Sequence, residues 1–114
     1  MEVFTAFEPI VSNRIGKVNY YGIRRILEAK FGTNINFSEN RTKDRYHSDL
    51  RKVYILACNQ LSINIDMAIA HIGMAGKSAY LSLRTAKMLM NDPFIKKTLS
   101  ELLSELKTEN KFHE

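Results

Sequence analysis

The sequence predicts an all-α protein, a small bundle of about five helices that contains a helix-turn-helix. Three observations carry that expectation. Apolar residues recur at intervals of three and four in successive segments. Gly and Pro fall between those segments, at Gly32, Gly73, Gly76 and Pro93. No stretch alternates apolar and polar residues convincingly enough to read as a strand.

Residues 1–16 precede the first periodic segment and form an N-terminal arm. They carry Phe4, Phe7, Ile10 and Val11 without a clean period, and Pro9 and Gly16 interrupt them. The arm suits either a cover laid over a groove of the helical body or a surface for a partner. From Lys17 to Phe31, Val18, Tyr21, Ile23, Ile26, Leu27 and Phe31 line one side of a helix, and Asn19, Arg24, Arg25, Glu28 and Lys30 supply the other. Gly32 ends it as a C-cap. Gly22 inside the stripe costs roughly 1 kcal/mol against Ala. Residues 32–44 make a polar connection that Ile35 and Phe37 anchor to the core.

The longest helix is expected over Arg45–Leu61. Leu50, Val53, Tyr54, Ala57 and Leu61 define its buried face, and Ile55, Leu56 and Cys58 widen it. Such width suits the central helix of a bundle. Asn64 or Asp66 caps the next, short helix, Ile65–Ile72. A tight turn on Gly73 and Gly76 leads to a second helix over residues 77–91, in which Ala79, Leu83, Ala86 and Met90 form a narrow inward stripe. Ser78, Ser82 and Thr85 share one flank, and Lys77, Arg84 and Lys87 share the other. Leu81 and Met88 interrupt the polar outer face. Asp92 and Pro93 restart the chain as N-cap and first helical residue. The last helix runs to Lys107 on Ile95, Leu99, Leu102, Leu103 and Leu106, and residues 108–114 fray.

One domain accounts for 114 residues, with the helical body at 17–107. The single Cys58 forms no internal disulfide, and His47, His71 and His113 are too scattered to ligate a metal. Neither a metal nor another cofactor is expected. No apolar run is long enough for a membrane span, and no signal-peptide core opens the chain, so a cytoplasmic setting is the expectation. Gly73-Met-Ala-Gly76-Lys77-Ser78 ends like a phosphate-binding P-loop, but two residues separate its glycines where four are needed. His71 stands at the position of the required first Gly, and a helical pattern precedes it instead of a strand. Paired carboxylates and Cys/His sets are absent as well, so no enzyme is expected.

The formal net charge is +5. Its positive blocks are residues 17–32, 41–52 and 77–97, which include the connection before the central helix and the second helix of the helix-turn-helix. A basic surface attracts phosphate backbones and releases their counterions. In a helix-turn-helix the second helix enters the major groove with its first residues at the base edges. The expected DNA-contacting set is therefore Arg41, Lys43, Arg45, Arg51 and Lys52 on backbone phosphates, with Lys77, Ser78, Ser82 and Thr85 at base edges, and Arg84 and Lys87 on the remaining flank.

The order of parts also resembles a known family. A helix ends in Phe31-Gly32, a basic connection follows, and Arg51 lies six residues after Arg45 on a long helix. Ile69-Ala-His-Ile72, a turn, Ser78 and Asn91-Asp-Pro-Phe94 before a Leu-periodic tail complete the pattern. Over residues 17–107 this resembles the C-terminal DNA-binding domain of the chromosomal replication initiator DnaA family, within the Trp-repressor-like helix-turn-helix group. The resemblance implies binding to double-stranded DNA, with Lys43 or Arg45 in the minor groove and the Ser78 hydroxyl at the start of the recognition helix. The family's Asp-His-Ser/Thr-Thr signature meets Gly76-Lys77-Ser78-Ala79 here, so only Ser78 matches. The ATPase module of that family has no counterpart in this sequence.

The expected function is a replication or transcription regulator that reads double-stranded DNA without ATPase activity. Helix 77–91 would take the major groove, and the basic loop 41–45 the backbone and minor groove. Homodimerisation on two half-sites is the common way to enlarge so small a contact. The alternative is a helical adaptor that binds a protein partner through helix 77–91 and the N-terminal arm.

Overall fold

A computed structural model of the chain describes residues 20–40 and 44–112, with side chains as far as Lys107. The expectations for the arm at 1–16, and those for Arg41 and Lys43, lie outside the described residues. Five helices and no strand occur among the described ones: α1 (Tyr20–Phe31), α2 (Arg45–Gln60), α3 (Ile65–His71), α4 (Ala79–Met88) and α5 (Pro93–Phe112). The protein is all-α, a small helical bundle.

Helix α2 is its axis. Leu50, Val53, Tyr54, Ile55, Leu56, Ala57 and Cys58 are all buried on it, and it packs against each of the other four helices. A helix that is apolar most of the way round must be covered on most sides. Ile23, Ile26 and Leu27 of α1, Ala68 and Ile69 of α3, Ala86 of α4, and Ile95, Leu99, Leu102 and Leu106 of α5 supply the cover. Full burial of one such Leu or Ile side chain stabilises by about 1.5–3 kcal/mol. The Tyr54 hydroxyl donates to the Ala68 carbonyl at 2.8 Å, which ties α2 to α3 deep in the core. Burial pushes the neighbouring Cys58 thiol up to about 12, so it behaves as a small apolar residue.

Side-chain caps set the helix starts. Asp44 accepts from the His47 N–H at 2.8 Å, Asn64 from Met67 at 3.1 Å and Ser78 from Leu81 at 3.2 Å. The Asp92 carboxylate accepts from both Phe94 and Ile95. Each satisfies an amide that the first turn leaves without an intrahelical partner. The backbone and side-chain bonds to His47 hold the Asp44 carboxyl below its usual range. At the other end of α1, Gly32 takes φ +61°.

Two helices depart by more than one residue from the bounds expected for them, while α2 and α3 each end one residue early, at Gln60 and His71. Helix α4 begins at Ala79 and ends at Met88, where residues 77–91 were expected. Ser78 is the reason at one end: its extended backbone (ψ 121°) and capping hydroxyl place it outside the helix. At the other end Leu89 takes the C-cap position, and the Asp92 N–H donates back to its carbonyl at 3.0 Å, turning the chain into α5. Helix α5 continues to Phe112, beyond the Lys107 expected as its end. The connection between α3 and α4 is therefore residues 72–78, longer than the four-residue turn predicted.

That connection is pinned by residues 33–40. The Phe37 N–H donates to the Ile72 carbonyl at 2.6 Å, and Asn36 donates from its amide to the His71 carbonyl at 3.3 Å. The Asn36 side-chain oxygen meanwhile accepts from the Ser38 N–H, the Ser38 hydroxyl and the Glu39 N–H. Gly73 sits against this cluster with φ +75°, and a Cβ there would collide with the Asn36 side-chain oxygen and lie 2.6 Å from the Ser38 nitrogen. Only Gly combines that backbone with that approach.

Candidate functional site

The side of α4 that faces α2 is where the cationic and hydroxyl residues converge. Only Ala86 of α4 is buried, while Ala79 and Leu83 rest partly buried on the core, so most of the helix faces outward. Between α4 and α2 lies a cleft of about 440 Å³. Its apolar part is Phe37, Ile55, Met74 and Leu81; its polar part is Ser48, Arg51, Lys52, Lys77, Ser78, Ser82 and Thr85. Three cations and four hydroxyls thus share one concavity, and among the described residues its lining holds no carboxylate.

Each cation is held differently. Arg51 is 5 % exposed, and its guanidinium donates to the Ile35 carbonyl at 2.8 Å and the Asn40 carbonyl at 2.8 Å. It also lies 5.1 Å from the centre of the Phe37 ring. Burial pulls its pKa below the ordinary arginine value. Arg51, expected on backbone phosphate, uses these donors to brace the 33–40 connection. Lys52 donates to the Ser48 hydroxyl at 2.6 Å, one turn back on α2. An ammonium has three donors, so two remain for another acceptor. The Lys77 ammonium stands 5.5 Å from the centre of the same Phe37 ring, and Lys77 lies outside any helix. A cation over an aromatic face gains about 0.5–1 kcal/mol at an exposed site, enough to bias the lysine toward the cleft.

The remaining site residues divide between two other places. Ser78, Ser82 and Thr85 line the cleft together, as their shared flank predicted, but Lys77 joins them there and not Arg84 and Lys87. Arg84 and Lys87 border a separate shallow depression with Tyr80, Leu83 and Met88. Arg45 stands apart from both, with its side chain 78 % exposed and its guanidinium 2.9 Å from Asp92 and 3.5 Å from Asp49. Its fork spans the start of α2 and the start of α5.

Phe37, Ser48 and Met74 belong to the cleft but were absent from the expected DNA-contacting set, Phe37 having been read as a core anchor. Ser48 carries a legible signal, its i,i+4 spacing to Lys52 on one helix face. Phe37 and Met74 reach the cleft from irregular connections, where no periodicity tells which way a side chain points. The Gly73–Ser78 stretch follows α3 instead of a strand, which agrees with setting the P-loop aside.

Beside the cleft the surface is apolar to an unusual degree. Tyr80 is 72 % exposed and Met88 74 %, and Leu81, Leu89 and Met90 are exposed as well. No group of His, Cys, Asp and Glu suited to a metal occurs among the described residues, and none of their helices is long and apolar enough to cross a membrane. Comparison with protein-family models, curated proteins and solved structures found no match to the chain.

Proposed function

We propose that the chain is a double-stranded DNA-binding protein that presents the cleft face of α4 to the duplex and acts as a regulator of replication or transcription without ATPase activity. The observation that carries this reading is the composition of the cleft: Ser48 and Lys52 of α2 with Lys77, Ser82 and Thr85 at α4, and no carboxylate among the lining residues. Phosphate oxygens accept from such groups, and those contacts set register on the duplex. Lys77 stands just before α4, where a helix entering the major groove brings its first residues to base edges. It can donate to guanine O6 and N7, with Ser82 and Thr85 making shorter contacts. Arg84 and Lys87 add charge on the next face, and Arg45 is a further exposed cation at the start of α2, with Arg41 and Lys43 before it in sequence. A DnaA-like reader would use the same two parts, the helix and the basic loop.

Fluorescence anisotropy with labelled random duplexes at two salt concentrations tests the reading. Binding that weakens steeply as salt rises supports it; absence of binding at low salt overturns it. Should duplexes bind, Lys77→Ala is expected to relax base preference at a selected site, whereas Arg45→Ala weakens all duplexes alike.

A second reading rests on the exposed Tyr80, Leu81, Met88, Leu89 and Met90. Apolar side chains concentrated on one helix and its C-terminal turn are what an adaptor offers a protein partner, or what one copy of this chain offers a second. Size-exclusion chromatography separates the cases, since an adaptor's elution is indifferent to added duplex.

A further inference from the structure

We infer that the cleft between α2 and α4 is a binding site for a small organic anion, one that carries a flat apolar body beside a phosphate or carboxylate group. The inference goes beyond the DNA reading and does not depend on it, because such a molecule binds or fails to bind with no duplex present.

Size is the first argument. A cleft of about 440 Å³ falls within the range of roughly 300–1,000 Å³ typical of small-molecule sites. The second is the way polar and apolar groups are segregated. Phe37, Ile55, Met74 and Leu81 line the cleft from four different parts of the chain, and two cations lie near the Phe37 ring, Arg51 at 5.1 Å and Lys77 at 5.5 Å from its centre. A duplex phosphate has no need of that surface; the flat body of a small ligand does. Leu81, which looks misplaced on a polar recognition face, becomes part of this wall.

Charge is the third argument. The ammonium of Lys52 is positioned by the Ser48 hydroxyl, and the ammonium of Lys77 by the Phe37 ring. Neither has a carboxylate partner among the described residues, whereas Arg24, Lys30 and Arg45 each have two. Two lysines on opposite walls of one cleft, with no acid between them, leave a positive potential that an incoming anion satisfies. Ser82 and Thr85 supply hydroxyl donors along the α4 wall. An inorganic anion would meet the lysines but leave the apolar wall wet, and a neutral aromatic would do the reverse. The site is complementary to a molecule that joins the two.

Phenyl phosphate is the probe, with inorganic phosphate and phenol as its two halves, titrated into the isotope-labelled full chain and followed by backbone amide NMR. Phenyl phosphate is expected to shift amides around Phe37, Ser48–Ile55 and Met74–Thr85 in a saturable way, and to bind at least about tenfold more tightly than either half. Lys52→Ala and Lys77→Ala are each expected to weaken it about tenfold, whereas Lys107→Ala, on an exposed position of α5, leaves it unchanged. Three results overturn the inference, the first two being no saturable shift at the cleft and equal affinity in the Lys52→Ala, Lys77→Ala double variant. Equal binding of inorganic and phenyl phosphate also overturns it, since the apolar wall would then contribute nothing. A duplex titration of the same sample reports the DNA reading separately, so either can fail while the other stands.

Discussion

On the side where α1 meets α5, Lys30 donates to Glu105 at 2.9 Å and lies 3.5 Å from Glu101. Arg24 bridges Glu28 at 3.0 Å, the Asn34 side chain and the His71 carbonyl. Between α2 and α4, by contrast, Lys52 and Lys77 face hydroxyls and an aromatic ring, and no carboxylate among the described residues reaches them. The first region uses its cations to hold elements of the chain together. The second leaves them for something else to neutralise. A net charge of +5 therefore says less about partners than the places where acids are withheld.

Arg51 is the sharpest test of that division, because it lines the cleft yet belongs with the bracing cations. Arg51→Met is expected to lose about 2–4 kcal/mol of stability in urea unfolding, as the Ile35 and Asn40 carbonyls lose charged donors. A loss no larger than that of a surface substitution would move Arg51 into the group available to ligands. Gly73→Ala attacks the same scaffold from the α3–α4 connection. Its Cβ would strike the Asn36 cluster from a backbone at φ +75°, and a cost of about 1–3 kcal/mol is expected. A neutral result would mean that residues 33–40 give way without consequence for the cleft.

Lys77→Ala should do the opposite. Its effect on stability is expected to stay within about 0.5 kcal/mol, while the slope of log affinity against log salt for duplex DNA falls by about one. An unchanged slope would show that Lys77 meets no phosphate. Lys30→Ala is the matching change in the paired region: a small loss of stability that disappears at high salt, with duplex binding unaltered. Reduced duplex binding in that variant would blur the distinction between the two regions.

The smallest effect concerns His71, packed against the Tyr20 and Tyr21 rings at 4.9 and 4.3 Å. Burial, then the nearby Arg24 guanidinium, lowers its pKa from the ordinary histidine value. A lowered folded pKa means that the unfolded chain takes up the proton first. Stability from this residue is thus complete above the unfolded value and is lost as pH falls through the folded one. Ring titration by NMR should give a midpoint below that of a free histidine, and a midpoint above it would contradict the packing described for α1 and α3.

Helix content was legible because it depends on local chemistry. The 3.6-residue period through Leu50, Val53, Tyr54 and Ala57, the cap residues Asn64 and Asp92, and Pro93 after them act within a turn or two of themselves. The grouping of Ser78, Ser82 and Thr85 is of the same kind, since α4 and its cap residue place them on one flank. What one helix cannot decide is what stands opposite it. Arg51 read as an available cation because nothing nearby in sequence revealed that the Ile35 and Asn40 carbonyls, from a separate connection, would fold over it. Lys77 read as a neighbour of Arg84 and Lys87 while residues 77–91 counted as one helix. The Ser78 cap and the Phe37 ring placed it in the cleft instead. The sequence by itself determined the helices and most of their ends, through interactions spanning a few residues. Which cations became braces and which remained at the cleft was decided by contacts between distant segments, where a carbonyl or a ring takes its position only once the core around α2 has closed.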